Sequence, residues 1–342
     1  MSLTYYLTAK ELRGRVGLVV PVWFPPEMEE AEIEAILSCS LADVELYFMP
    51  ADIVAVVDAA QSAERVLHRL REKQRIYWEI VTLPENRGKG GAVAVGLQYL
   101  LSKPQLEFFV IRDDDGDHFV NDVPHLCRLG YQIIAEQDTD LVLVNGGRRD
   151  LHRPLGFVRG QYEVLVNDIV WHALQFALAR QGRVLNEQYL PLSYPVPDFQ
   201  SGFKLYSRAA AEKLVTASEN VEPGMLRWGC EVLAVVETLL AGGVMGEINR
   251  ITLDAQPLST YGGEESRLRI YGTLLRWALQ RLGLGAQEAQ QLIDNALARL
   301  LLRRQAEWRE ELLTLRRQVV SEISKDTPSD LLASPPFTVA FC

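Results

Sequence analysis

Four aspartates, Asp113, Asp114, Asp115 and Asp117, stand within five positions directly after the apolar run FFVI (108–111) and Arg112. Carboxylates this close repel one another, and desolvating even one costs several kcal/mol. The pattern therefore asks for a cation. A calcium loop of the EF-hand type needs glycine at its sixth position and an oxygen ligand at its first. Counting back from Gly116 puts Ile111 at the first position, so that match fails. The D-x-D-G of aspartate-nucleophile phosphatases is also present at 113–116, but Asp117 stands where those enzymes place Thr or Val. The third chemistry is a D-x-D pair, Asp113 and Asp115, holding Mg²⁺ or Mn²⁺, which in turn bridges two phosphates through hard oxygen ligands. The bland alternative is a solvated acidic turn around Gly116. The buried-looking strand immediately before it weighs against that.

A second chemical feature precedes the cluster by one helix. In NRGKGG (86–91), Gly88, Gly90 and Gly91 let backbone N–H groups approach an anion, and Arg87 and Lys89 add positive charge. The spacing is neither that of a Walker A loop nor that of a dinucleotide fingerprint. Alone it reads equally well as a loop-to-helix junction. Paired with an acidic cluster it is more specific.

The elements that must position these residues follow from periodicity. VGLVVPVW (16–23), IVAVVD (53–58), YWEIVTL (77–83) and LEFFVI (106–111) read as buried strands, and segments 28–46, 63–73 and 92–101 carry helical spacing. Strands alternating with helices make a mostly parallel α/β sheet covered on both faces, with ligands at the carboxyl ends of the strands. Asp58, the NRGKGG loop and the aspartates all fall at such ends. From 263 to 324 the chain turns rich in Leu, Ala, Arg and Glu, which predicts two or more amphipathic helices. The expected organisation is a domain over 1–262, a helical extension over 263–325 and a loose tail over 326–342.

The net charge of −10 argues against a general nucleic-acid binder. Cys39, Cys127, Cys230 and Cys342 are too scattered for a zinc template or a disulfide scaffold. No apolar run approaches the roughly 18–20 residues that span a bilayer. The expectation is a cytoplasmic protein, soluble or peripheral to a membrane, with no transmembrane segment.

The order VVD, NRGKGGAVAVGL, FFVIRDDDGDHF, LVLVNGGRRD, PDFQSGFKLYSR, WGCEVLAVVETLLAGG resembles family 2 glycosyltransferases of the GT-A fold. The pattern is most similar to their polyprenyl-phosphate (dolichyl-phosphate) mannosyl- and glucosyltransferase branch, over roughly residues 15–255. The resemblance implies a donor that is a UDP- or GDP-linked sugar and Mg²⁺ or Mn²⁺ as cofactor. It implies metal contacts from Asp113 and Asp115, with Asp115 the direct ligand, and a further oxygen from Asp117. Donor contacts are implied for Asp58, Asn86, Arg87, Lys89, Asp114, Arg148 or Arg149, Gln200 and Ser201, and catalytic roles for Asp198 and Glu231. It implies, as acceptor, a small molecule or a lipid phosphate.

There are departures. Ala59 replaces the second acid after the second strand, PVWFPPE stands where the family has P-x-Y-N-E, and no C-terminal membrane pair follows. Each role also has a plainer counterpart. Asp58 could cap the next helix, Asp198 could hold an Asx turn, and Glu231 could be a solvated first-turn acid favoured by the helix dipole. The C-terminal helices could serve packing or self-association. Two other functions use similar parts. A sugar-1-phosphate nucleotidylyltransferase would need a glycine-rich basic loop after the first strand, where WFPPEMEE stands. A non-catalytic nucleotide-sugar-binding regulator would bind without turnover.

Overall fold

β-Branched and other apolar residues fill the first two strands without alternation, as strands covered on both faces require. β1 (Val16–Val22) and β2 (Ile53–Asp58) are buried at every position. β3 (Glu79–Leu83), β4 (Phe108–Ile111), β5 (Val142–Arg148), β6 (Lys204–Ser207) and β7 (Val244–Arg250) complete one seven-stranded sheet in the order β3-β2-β1-β4-β6-β5-β7. The computed structural model describes residues 8–149, 151, 155, 157–191, 196–250, 264–301 and 306–324.

β3, β2, β1 and β4 run parallel to their neighbours, β6 is antiparallel to both β4 and β5, and β7 is parallel to β5. The sheet is therefore mixed but mostly parallel. The reversal at β6 has a direct consequence. Lys204, at its start, pairs with Ile111 at the end of β4 and with Asn145 in β5. The carboxyl ends of β1, β2, β4, β5 and β7 and the beginning of β6 therefore share one edge. Chain order also reverses between β1 and β4, the kind of switch point where open α/β sheets bind ligands.

In chain order the helices are α1 (Ala9–Leu12), α2 (Glu30–Ser40), α3 (Gln61–Gln74), α4 (Lys89–Leu101), α5 (Val123–Gln137), α6 (Phe157–Ala179), α7 (Arg208–Ser218), α8 (Pro223–Trp228), α9 (Cys230–Leu240), α10 (Glu264–Arg281), α11 (Ala286–Leu301) and α12 (Ala306–Ser324). Two compact units emerge. One joins Met1–Pro154 with Asn186–Leu258 and contains the sheet; the other joins Leu155–Leu185 with Ser259–Cys342.

The second unit is helical. Among its described residues the segment expected to hold two or more helices holds three, and α6 joins them although it lies within 1–262. It does so because it packs on α10 and α11. The rings of Tyr162 and Tyr271 stack at 5.0 Å. Asp294 and Arg316 form an ion pair at 2.5 Å, each 1% exposed, and Arg267 pairs with Glu311 at 2.8 Å. The expected tail over 326–342 lies outside the described residues. Among the described residues no helix is long and apolar enough to cross a membrane.

Candidate active site

The acidic loop after β4 is held from behind by Arg112 and His118. Arg112 is buried; its Nε donates to the His118 carbonyl at 2.6 Å and Nη1 donates to the Ser40 carbonyl. Ser40 closes α2, so the guanidinium sits at a helix C-terminus, where a cation is favoured. Burial still lowers Arg112 to about 10. The backbone N–H of Asp113 donates to Nδ1 of His118 at 3.0 Å, which makes that nitrogen the acceptor of a neutral imidazole. Burial, then Arg250 and Lys89, hold His118 well below the usual histidine range, and its ring stacks on Phe203.

The four aspartates part company in this frame. Asp114 turns back to β1 and accepts the Trp23 N–H at 2.9 Å; burial pushes its carboxyl well above the ordinary value. Asp115 accepts the Asp117 N–H at 3.0 Å and is raised to about 6, by burial first and by Asp113 next. Asp117 is fully buried, with its carboxylate 3.1 Å from Nη1 of Arg250 on β7. The resemblance implied a further metal oxygen from Asp117; in the structure one oxygen of that carboxylate faces an arginine.

Lys89 opens α4 and reaches the same corner. Its ammonium lies 2.8 Å from Oδ1 of Asp113 and 2.6 Å from Oε1 of Glu231, at the start of α9. Burial opposes the charge on Lys89, but Asp113 and Glu231 outweigh it and hold the lysine well above its usual value. Glu231 is lowered in return, Lys89 overcoming burial, and the Cys230 thiol donates to its Oε2 at 3.1 Å.

Asp58 makes this approach possible without facing the corner itself. Its carboxylate, 2% exposed, accepts the Arg87 and Gly88 N–H groups at 2.7 and 2.8 Å. It thus anchors the loop before α4, and does not cap α3. Gly88 adopts a φ of 78°, and a Cβ there would lie 2.4 Å from the Arg227 Cα of α8. Only glycine fits.

A second network lies behind the first. Asp198, 7% exposed, accepts two side-chain bonds from Arg148, at 2.7 Å from Nε and 2.8 Å from Nη2, and a third from its backbone N–H at 3.0 Å. Burial alone would raise Asp198; Arg148 reverses the sign and lowers it. A depressed, fully bonded carboxylate is a poor proton acceptor. Glu247 accepts from Asn145 Nδ2 at 2.6 Å and from the Asp198 N–H at 2.8 Å, and burial followed by Asp198 pushes it up to about 7. Ser201 donates its hydroxyl to the Gly146 carbonyl at 2.6 Å.

Asp113, Lys89 and Glu231 thus converge, with Asp115 near enough to interact with Asp113 and Lys89 and Asp114 turned back on Trp23, while Asp58, Asp198 and Ser201 brace the backbone around them. Asn86, Arg87 and Arg149 are exposed, and Gln200 is half-buried. Glu247, Arg250, Lys204, Asn145 and Arg112 were not singled out by sequence. The one signal was ionisable residues interrupting apolar strands, as in FKLY and VMGEINR.

Hard cations suit this corner in part. Oδ1 of Asp113 is buried and, although close to Lys89, lies off the angle a hydrogen bond needs. Asp113 and Asp115 offer only oxygen, the donor preferred by Mg²⁺ and Mn²⁺. Among the described residues, no group of three His, Cys, Asp or Glu side chains is arranged to hold an ion by itself. A two-carboxylate seat of this kind fits an ion that takes its remaining ligands from substrate phosphates.

No family model and no curated protein matches the sequence. Solved structures do. The mannosyltransferase PcManGT from Pyrobaculum calidifontis, solved with GDP-Man and Mn²⁺, aligns with a TM-score of 0.50 at 14% identity, over 90% of this chain and 86% of that one. S. aureus TarS 1–349 aligns at 0.43 and 13% identity, over 90% and 81%, a likeness too distant to add weight. At such identities the likeness speaks to architecture alone: this chain has a GT-A-type fold, with helices at its C-terminal end.

Proposed function

We propose that the chain is a nucleotide-sugar-dependent glycosyltransferase of the family 2 type, transferring a sugar from a UDP- or GDP-linked donor to an acceptor hydroxyl or phosphate. The observation that carries this reading is the meeting of Lys89, Asp113 and Glu231 at the strand ends of a GT-A-type sheet. The mannosyltransferase solved with GDP-Man and Mn²⁺ supports it. The polyprenyl-phosphate branch is one version of it, with a lipid phosphate as acceptor.

Asp113 and Asp115 would hold Mg²⁺ or Mn²⁺. When bound, such an ion draws negative charge from a departing diphosphate. The chain's own groups do the rest. Lys89 supplies a fixed positive charge beside the diphosphate seat. A phosphate there competes with Glu231 for the ammonium, and the carboxylate so released regains basicity toward an acceptor proton. Asp198 keeps its arginine throughout, so Glu231 takes the role of base and Asp198 that of a brace.

Two measurements test this. UDP or GDP with Mn²⁺ should raise the melting temperature, by the equivalent of about 2.7 kcal/mol at a hundredfold excess over Kd. Asp115→Asn should abolish the part that depends on Mn²⁺. No stabilisation by either nucleotide, with or without metal, would overturn the reading. In a donor-turnover assay, Glu231→Gln should lower kcat by roughly 10²–10⁴-fold with nucleotide binding retained. Asp198→Asn should lower stability and activity together. A normal kcat in Glu231→Gln would remove it as the base.

A further inference from the structure

Lys204 stands at the start of β6, 1% exposed, with its ammonium spent on three oxygens. It donates to Asn145 Oδ1 at 2.7 Å and to the carbonyls of Phe199 and Ser201 at 2.8 Å each. Two of these acceptors belong to the loop between Asp198 and Phe203. That loop carries Gly202, and a Cβ on Gly202 would fall 2.4 Å from Oδ2 of Asp113 and 2.6 Å from Nζ of Lys89. The loop backbone therefore lies directly on the Asp113–Lys89 pair, and the lysine ties down both carbonyls flanking Gln200.

A buried ammonium is a costly tie. Desolvation disfavours its charge, and an apolar residue would fill a strand position at less expense. Three acceptors converging on one tetrahedral donor fix the loop in a way that packing cannot. The groups facing Lys204 are Asp198 with its partner Arg148 from the loop and β5, Glu247 from β7, and Glu231 and Cys230 from α9. Burial lowers the lysine to about 8 despite those acids.

We propose that Lys204 is a positioning residue for the active site, clamping the Asp198–Phe203 loop so that Gly202 stays seated on Asp113 and Lys89. The clamp acts through the loop and touches no reacting atom. Its catalytic consequence rests on the glycosyltransferase reading; the clamp itself does not.

Lys204→Met keeps the length and removes the three bonds. Amide hydrogen exchange across 198–203, measured on the full chain without ligand, should rise about tenfold or more while β1, β2 and β4 stay protected. That result is independent of any activity. Unchanged exchange in 198–203 overturns the clamp, and so does faster exchange spread evenly over the sheet. Given turnover in the wild type, kcat should fall about 10–100-fold, the usual effect of misplacing a site by a fraction of an ångström. The Kd for UDP or GDP with Mn²⁺ should change less than threefold. The wild-type pH profile should show an alkaline limb that Lys204→Met lacks. Equal losses in kcat and nucleotide affinity, or an alkaline limb that persists in the variant, would make Lys204 merely structural. If the wild type turns over no nucleotide sugar, the exchange result still decides the clamp, and only the proposed function fails.

Discussion

Glu247 shows how much of the site's electrostatics sits in buried residues bonded only within the chain's own strands and loops. Its carboxyl is 6% exposed and raised from 4.5 to about 7, by burial and then by Asp198. The folded state therefore binds this proton more tightly than the unfolded chain does. Its contribution to stability is complete below pH 4.5 and is lost as pH rises through about 7. Converted at 1.36 kcal/mol per unit, the swing is about 3 kcal/mol, an order-of-magnitude figure. Glu247→Gln keeps an oxygen for the Asn145 amide and the Asp198 N–H. The variant should match or exceed wild-type stability at pH 8 and lose the Glu247 share of the pH dependence between 4.5 and 7, leaving the share of Asp114 and Asp115. Urea unfolding at several pH values reads this directly. An unchanged slope would mean that Glu247 does not titrate in that window.

At the scale of elements, the junction between β3 and α4 carries the site, and Gly88 carries the junction. Asp58 holds its N–H from one side while α8 presses on it from the other. Gly88→Ala should cost about 1–3 kcal/mol through overpacking, in addition to about 1–3 kcal/mol for a backbone at φ 78° and ψ 167°, which essentially only glycine adopts. It should also weaken nucleotide binding, because Lys89 is the next residue. Gly182 is the uncrowded comparison: its φ is 68° and nothing lies within 4 Å of an added Cβ. Gly182→Ala should therefore cost only the backbone part. Equal midpoints in urea for the two variants would show that the contact with Arg227 yields freely.

The same elements explain what the sequence could tell. IVAVVD is a strand over the very residues expected, and the α4 boundary differs by three residues. Length and β-branched content settle the first apolar run as a strand, and length and the glycines before it settle the second as a helix. β6 and β7 gave no such signal. Lys204 sits inside one, and Glu247 and Arg250 inside the other, so the charges that build the second network also conceal the strands that carry them. Asp113, Asp115 and Lys89 stood out by residue type and order, and Glu231 through the family resemblance alone. The pairings Asp117–Arg250 and Asp198–Arg148 were not, since partners 133 and 50 positions apart leave no local trace.

At the scale of the whole chain, the two units are not two consecutive stretches. The helical unit takes α6 from the middle of the sequence and α10, α11 and α12 from its end. Deleting 264–342 leaves α6 behind without the helices it packs on. Tyr162 would lose the ring of Tyr271, stacked on it at 5.0 Å. Apolar residues along α6, among them Leu165, Val166, Ile169 and Leu174, are buried in the full chain. A 23-residue helix stripped of its neighbours exposes more apolar surface than a monomer ordinarily tolerates. The truncated chain should therefore bind a hydrophobic dye several-fold more strongly and sediment as a self-associating species. If the helical unit also joins two copies of the full chain, the self-association considered for the C-terminal helices, the intact protein should sediment as a dimer at micromolar concentration. A truncated chain that stays monomeric, with wild-type dye binding, would show that α6 needs no cover from α10 and α11.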